Sequence, residues 1–330
     1  MTFQKSILSC VLRRVNGVLT TNKSSNLHFK TISKAPLVLA IYNSPIKYYG
    51  THINKHKIMQ TYVVSLPSAK KRREHITQIF DMQNIPFLFF DAISPSEALN
   101  KAISELVPSL KYQSFLSEIE KACFMSHVIL WKQAIDEGLP YIAILEDDVL
   151  LGSNADKFLT EDTWLNERMS ANSAFIVRLE TLLIPINIKS SNITAYQDRQ
   201  FPLLDSPHGG TAGYIISQKA IRLIMENLFT LPAEEIQPID MMIFGTYLGK
   251  KDISVYQINP GICVQELNFS QDKNENSILG SMLEEQRRKN QEEYRKKYKK
   301  HRSFKQRLLR ALTKISREKR KREQIVIPFR

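Results

Sequence analysis

Tyr141-Ile142-Ala143-Ile144-Leu145 is apolar at every position and runs directly into Glu146-Asp147-Asp148. Successive side chains of a strand leave on opposite faces, so a run without polar alternation must be covered on both sides, as the central strand of an α/β sheet is. Three adjacent carboxylates at its end repel one another unless a cation joins them. The run therefore predicts a buried sheet with a charged rim.

The surrounding sequence supplies partners for that strand. Residues 62–66 form a β-branched run, and 69–84 place Ile76, Ile79, Phe80 and Gln83 at helical spacing. Residues 86–90 are a second buried strand, and 119–137 a helix with Phe124, Val128, Trp131 and Ile135 on one face, ended by Gly138 and Pro140. Further strands are expected at 174–179, 213–216 and 253–258, with a helix over 217–228. Such alternation predicts an α/β sandwich with a mostly parallel central sheet and ligands at the carboxyl ends of its strands. Neither GxGxxG nor GxxxxGK[ST] is present among the 11 glycines, which removes the main support for a dinucleotide fold or a P-loop NTPase.

Charge divides the 330 residues into three regions. Residues 287–330 hold 19 Lys/Arg against 4 Glu, residues 1–58 hold nine Lys/Arg and no acid, and residues 59–286 carry a net charge of −11. The expected division is an N-terminal extension (1–58), a globular domain (59–275) and a basic amphipathic helical tail (276–330). The extension reads either as a targeting composition or as sequence preceding a true start at Met59, and not as a secretory signal. No window reaches eighteen consecutive apolar residues, so no spanning helix is expected. Cys10, Cys123 and Cys263 match neither a disulfide framework nor a zinc site.

Several residues are candidates for chemistry. Glu146 and Asp148, two apart on an extended segment, project to the same side and suit Mg²⁺ or Mn²⁺; an acidic turn in water is the alternative. Arg72 and Arg73 follow the first strand, where guanidinium forks match diphosphate oxygens, although exposed basic helix turns are common. His127 alone reads as a core histidine. Gly209-Gly210-Thr211-Ala212-Gly213 permits close backbone approach to a ligand or makes a tight turn. Asp240 is either a helix N-cap or a general base.

Taken together, YVVSLPSAKKRREH, PFLFFDAI, CFMSHVILW, LPYIAILEDDV, RLET, GGTAGYIIS, PIDMMIF and INPGICVQE resemble glycosyltransferase family 25, in the family's order over about residues 59–270. Ile119 and Ala122 depart from the family's usual glycines. The resemblance implies a GT-A-type fold, a UDP-sugar donor, and transfer of a hexose, galactose or glucose, with inversion to a hydroxyl of a lipopolysaccharide or lipooligosaccharide core. It assigns Glu146 and Asp148 to the metal, Asp240 and His127 to catalysis, and Arg72, Arg73, Asp91, Asp147, Gly210 and Thr211 to donor binding. A non-catalytic adaptor on a degenerate transferase fold, assembling envelope or binding nucleic acid, is the alternative; retention of all three acids speaks against it.

In the tail, Phe304, Leu308, Leu312 and Ile315 are spaced for one helical face. A basic amphipathic helix suits an anionic leaflet, at about 1 kcal/mol per base, which implies a cytoplasmic enzyme peripheral on the inner membrane. Nucleic acid would take the same charges, but no fold motif for it accompanies them.

Overall fold

The computed structural model describes residues 58–250, 252–269 and 314–330, all within one compact unit, 46–330. The 1–57 stretch and the positions of Phe304, Leu308 and Leu312 lie outside the described residues.

Strand β1 (Thr61–Ser65) stops at the Pro67-Ser68 turn, and helix α1 (Lys70–Met82) follows, burying Ile76 and Phe80. After β2 (Leu88–Asp91) comes α2 (Glu97–Leu106), whose first turn is capped by the Ser96 hydroxyl accepting the Leu99 N–H. Helix α3 (Glu118–Asp136) opens with a capping box, Ser117 and Glu120 satisfying each other's backbone N–H groups, and ends at Gly138, whose φ of 69° suits a residue without Cβ. Then come β3 (Tyr141–Glu146), β4 (Val149–Leu151), β5 (Phe175–Arg178), β6 (Pro185–Ile186), β7 (Ile188–Lys189), β8 (Leu203–Leu204) and β9 (Gly213–Ser217). Ser217 caps α4 (Gln218–Thr230), followed by β10 (Ser254–Gln257) and β11 (Cys263–Gln265).

The main sheet has the order β2-β1-β3-β9-β5-β10-β8-β7. Its core is covered on both faces, as the apolar run requires. Ala143, Leu145, Val177 and Ile215 pack with Phe158, Trp164 and Phe201 on one side, while the alternate residues Ile142, Ile144 and Ile216 are equally buried.

The mostly parallel sheet expected from the sequence gives way to a mixed one. Only β1–β2, β1–β3 and β5–β10 are parallel, and β9 runs antiparallel to both β3 and β5. Burial on both faces sets the apolar pattern, and that pattern carries no direction. The reversal has a functional consequence: Gly213 at the start of β9 sits beside Leu145 at the end of β3, so the 209–212 loop arrives at the acidic triplet.

The tail also differs from an all-helical extension. Helix α5 (Lys314–Arg322) is followed by β12 (Ile325–Val326), which pairs antiparallel with β6. Ile327 is buried, its carbonyl accepting from Thr181 Oγ1 at 2.6 Å, and Gly261 N–H donates to the Pro328 carbonyl at 2.8 Å. Among the described residues no helix is long and apolar enough to cross a membrane.

Candidate functional site

The site lies where β1, β2 and β3 end. Glu146 and Asp148 converge on one group, the Gln265 side-chain amide of β11, whose Nε2 lies 3.4 Å from Glu146 Oε2 and 3.3 Å from Asp148 Oδ2. Both contacts are long for hydrogen bonds. Burial first, and the Glu146 charge second, push the Asp148 carboxyl up to about 7, with Arg72 opposing them. Two carboxylates thus converge on one neutral amide.

Asp147, the middle acid, turns the other way. It accepts from Ser65 Oγ at 2.6 Å and from Arg72 Nη1 at 3.0 Å, tying the end of β3 to β1 and α1. Arg73 is consumed by the scaffold: it donates to the Ser65 and Leu66 carbonyls, pairs with Asp91, and stacks 4.7 Å from the Phe89 ring centroid. Arg72 is about as exposed as Arg73, at 25% against 23%, but stands beside the acids, bonded to Asp147.

His127 lies under Glu146, almost sealed from solvent. Trp131 Nε1–H donates to the Tyr214 hydroxyl at 3.0 Å, and that hydroxyl lies 2.9 Å from His127 Nδ1. If the hydroxyl proton points to Nδ1, the ring carries its own proton on Nε2, which faces Glu146 Oε1 at 3.7 Å. At that distance Nε2 makes no hydrogen bond to the carboxylate, and the sealed ring packs beneath it. The orienting contact comes from Thr211, whose hydroxyl donates to the same Glu146 oxygen at 2.6 Å.

Asp240 stands across the glycine loop, in a short helix (Ile239–Met241) that runs into a π-helical turn (Met242–Thr246). The π turn departs from regular α-helical spacing, and such turns are frequent at functional sites. Asp240 Oδ2 accepts the Gly210 N–H at 3.1 Å and Oδ1 its neighbour Met241 N–H at 2.8 Å. The carboxylate is thus oriented, and each oxygen keeps further acceptor capacity.

Beneath the loop lies a charged pair to which the sequence reading assigned no role. Arg178 and Glu180 are both fully buried and 3.1 Å apart. Burial, opposed by Arg178, pushes the Glu180 carboxyl up to about 8, and burial holds the His208 imidazole down to about 3. Gln265 likewise escaped the sequence reading, because a neutral amide next to a strand end carries no pattern. Arg178 and Glu180 did leave a signal: opposite charges two residues apart at the end of an otherwise apolar strand.

Among the described residues no group of three His, Cys, Asp or Glu is placed to hold a metal. The oxygen pair of Glu146 and Asp148 fits the other mode, in which Mg²⁺ or Mn²⁺ takes one or two carboxylates and completes its shell from substrate phosphates and water. The convergence of the two carboxylates on one point is the observation that fits a cation there.

Comparison with known proteins agrees with this architecture. The profile described as glycosyltransferase family 25 (LPS biosynthesis protein) matches residues 58–243. The lacto-N-neotetraose biosynthesis glycosyltransferase LgtB of Neisseria meningitidis serogroup B is 50% identical over 275 residues, covering 82% of this chain and 100% of that protein. LgtE of the same organism is 52% identical over 264 residues, covering 80% and 92%. The lipooligosaccharide biosynthesis protein lex-1 of Haemophilus influenzae is 36% identical over 283 residues, covering 78% and 91%. With the profile spanning more than half of the chain and half of the residues shared across whole relatives, the chain belongs to glycosyltransferase family 25.

Proposed function

We propose that this glycosyltransferase moves a hexose from a UDP-sugar to a saccharide hydroxyl of a lipooligosaccharide, with inversion, on a GT-A-type fold. Similarity to the lacto-N-neotetraose enzymes favours galactose over glucose. The observation that carries the reading is the convergence of Glu146 and Asp148 at the end of β3, with Asp240 facing them across the glycine loop.

Glu146 and Asp148 would hold a divalent cation, which when bound neutralises charge on the donor diphosphate. Arg72, bonded to Asp147 beside the acids, would add its positive charge to the same phosphates. Asp240 accepts the proton of the acceptor hydroxyl as that oxygen attacks the anomeric carbon and the bond to UDP breaks. One displacement inverts the anomeric centre and needs no covalent intermediate. Thr211 orients Glu146 and His127 packs beneath it; Arg73 and Asp91 brace the ends of β1 and β2, beside Asp147 and the first turn of α1 that carries Arg72. Helix α5, with Lys314, Lys319, Arg320, Lys321 and Arg322, and with Ile315 exposed, supports contact with an anionic membrane surface on the cytoplasmic side.

The test is UDP release from UDP-galactose and UDP-glucose by the full chain, with and without Mn²⁺, in the presence of a lipooligosaccharide acceptor. Metal-dependent turnover that yields the opposite anomer by NMR is expected. Turnover untouched by chelators, or retention of configuration, would sink this mechanism; no turnover with any nucleotide sugar would favour the non-catalytic adaptor.

A further inference from the structure

We propose that the buried Arg178–Glu180 pair is the positioning device that sets where Asp240 stands relative to Glu146, by anchoring the 209–211 loop from below. The inference rests on the reading of Asp240 as the acceptor-activating base.

Neither member of the pair has any exposed side-chain surface, so neither can touch a substrate. A buried ion pair is also a weak source of stability, because desolvation offsets the attraction. What the pair does hold is specific. Arg178 Nη2 donates to the Gly209 carbonyl at 2.8 Å while its Nη1 donates to Gln257 Oε1 at 3.0 Å and to the Glu180 carbonyl at 3.2 Å. Gln257 Nε2 returns a bond to that same Glu180 carbonyl at 3.0 Å, so the two side chains are braced from β10.

The Glu180 carboxyl forms the seat of Gly210. A Cβ added at Gly210 would stand 2.5 Å from Glu180 Oε1, and the residue has a φ of +88°, so only glycine rests there without displacing the acid. Among the described residues neither Glu180 oxygen has a hydrogen-bond partner, although Arg178 is close. From this seat the loop reaches both halves of the site. Gly210 N–H meets Asp240 Oδ2 at 3.1 Å, and Thr211 Oγ1 meets Glu146 Oε1 at 2.6 Å. Three consecutive residues therefore span the proposed base and the proposed metal ligand, and the ion pair fixes their height. Arg178 and Glu180 are positioning residues for the reaction.

The experiment compares Glu180→Gln with the wild-type full chain by kinetics, melting and amide hydrogen exchange. The expected result is a melting temperature that is not lowered and a kcat lower by about ten- to a hundredfold, the scale of a small misplacement of reacting groups. Donor KM should move by less than about threefold, since the substituted residue touches no ligand. Exchange at the Gly210 and Thr211 amides should quicken about tenfold or more as the loop loosens. E180Q/D240N should lose no more than D240N alone, because both changes remove the same positioned carboxylate. If E180Q does not fold, the double variant R178M/E180L replaces the pair with apolar side chains, and the same kinetic and exchange effects are expected. Unchanged Gly210 exchange with kcat within about threefold, in whichever variant is folded, would overturn the proposal. Wild-type kcat in D240N would instead remove the base reading, and the Gly210 exchange rate would then decide the anchoring by itself.

Discussion

Asp147 and Asp148 are neighbours in the chain and almost equally buried, at 7% and 9% exposure, yet they face opposite surroundings. Toward β1, Asp147 meets a hydroxyl and a guanidinium at normal bonding distance. Toward β11, Asp148 meets a second carboxylate and a distant amide. A satisfied buried acid is part of the scaffold, whereas an acid kept buried and under-bonded costs stability that only a ligand can return. The side facing β11 is therefore the one we propose as reactive, and the side facing β1 its support.

Substitution at each side breaks or sharpens that contrast. The largest effect is expected for Asp148→Asn: transfer activity down on the order of a thousandfold, with melting temperature unchanged or raised because the repulsion with Glu146 is relieved. Kinetics alongside calorimetry check both halves, and a large loss of stability would contradict the contrast. Next, Thr211→Val removes an orienting bond to Glu146, and the Mn²⁺ concentration for half-maximal activity should rise about tenfold. Asp147→Asn should do the reverse of Asp148→Asn. It should lose about 1–3 kcal/mol in denaturant unfolding while kcat falls less than about tenfold.

The smallest expected effect concerns pH. Glu180 has its folded pKa pushed from 4.5 to about 8, so between those values the folded state binds more protons than the unfolded one. Its contribution to stability is full at the acid end and is lost as pH rises through that window. The difference in melting temperature between E180Q and wild type should therefore grow more positive from pH 5 to pH 8, and a flat or falling difference would place the Glu180 charge elsewhere.

Much of the architecture was legible because burial writes itself into composition. The apolar run before Glu146 located the central strand, and its observed bounds, Tyr141–Glu146, extend the run by one residue. The i, i+2 spacing brought Glu146 and Asp148 to one place. Strand direction was hidden, since β9 is as apolar as a parallel strand would be. The start of α3 was readable but missed: Ser117 and Glu120 are a capping box, S-x-x-E, just before the apolar face begins. Arg73 illustrates the opposite limit. Next to Arg72 it looks like a second phosphate ligand, and only the fold shows it turned toward Asp91 and Phe89. Gln265 depends wholly on β11 pairing with β4, a contact between distant segments that no local pattern announces.

The strand β12 carries a consequence in time. Thr181 and the Ile327 carbonyl that it binds are 146 residues apart in sequence. At ribosomal speeds of about 5–20 residues per second, the groove beside β6 is made roughly 7–30 seconds before the segment that fills it. In that interval the body must wait with Ile186 and the edge of β6 uncovered, exposed to any other extended chain nearby. That segment is thus the one that withdraws a sticky edge from solvent, and removing it would be felt first as aggregation of newly made enzyme.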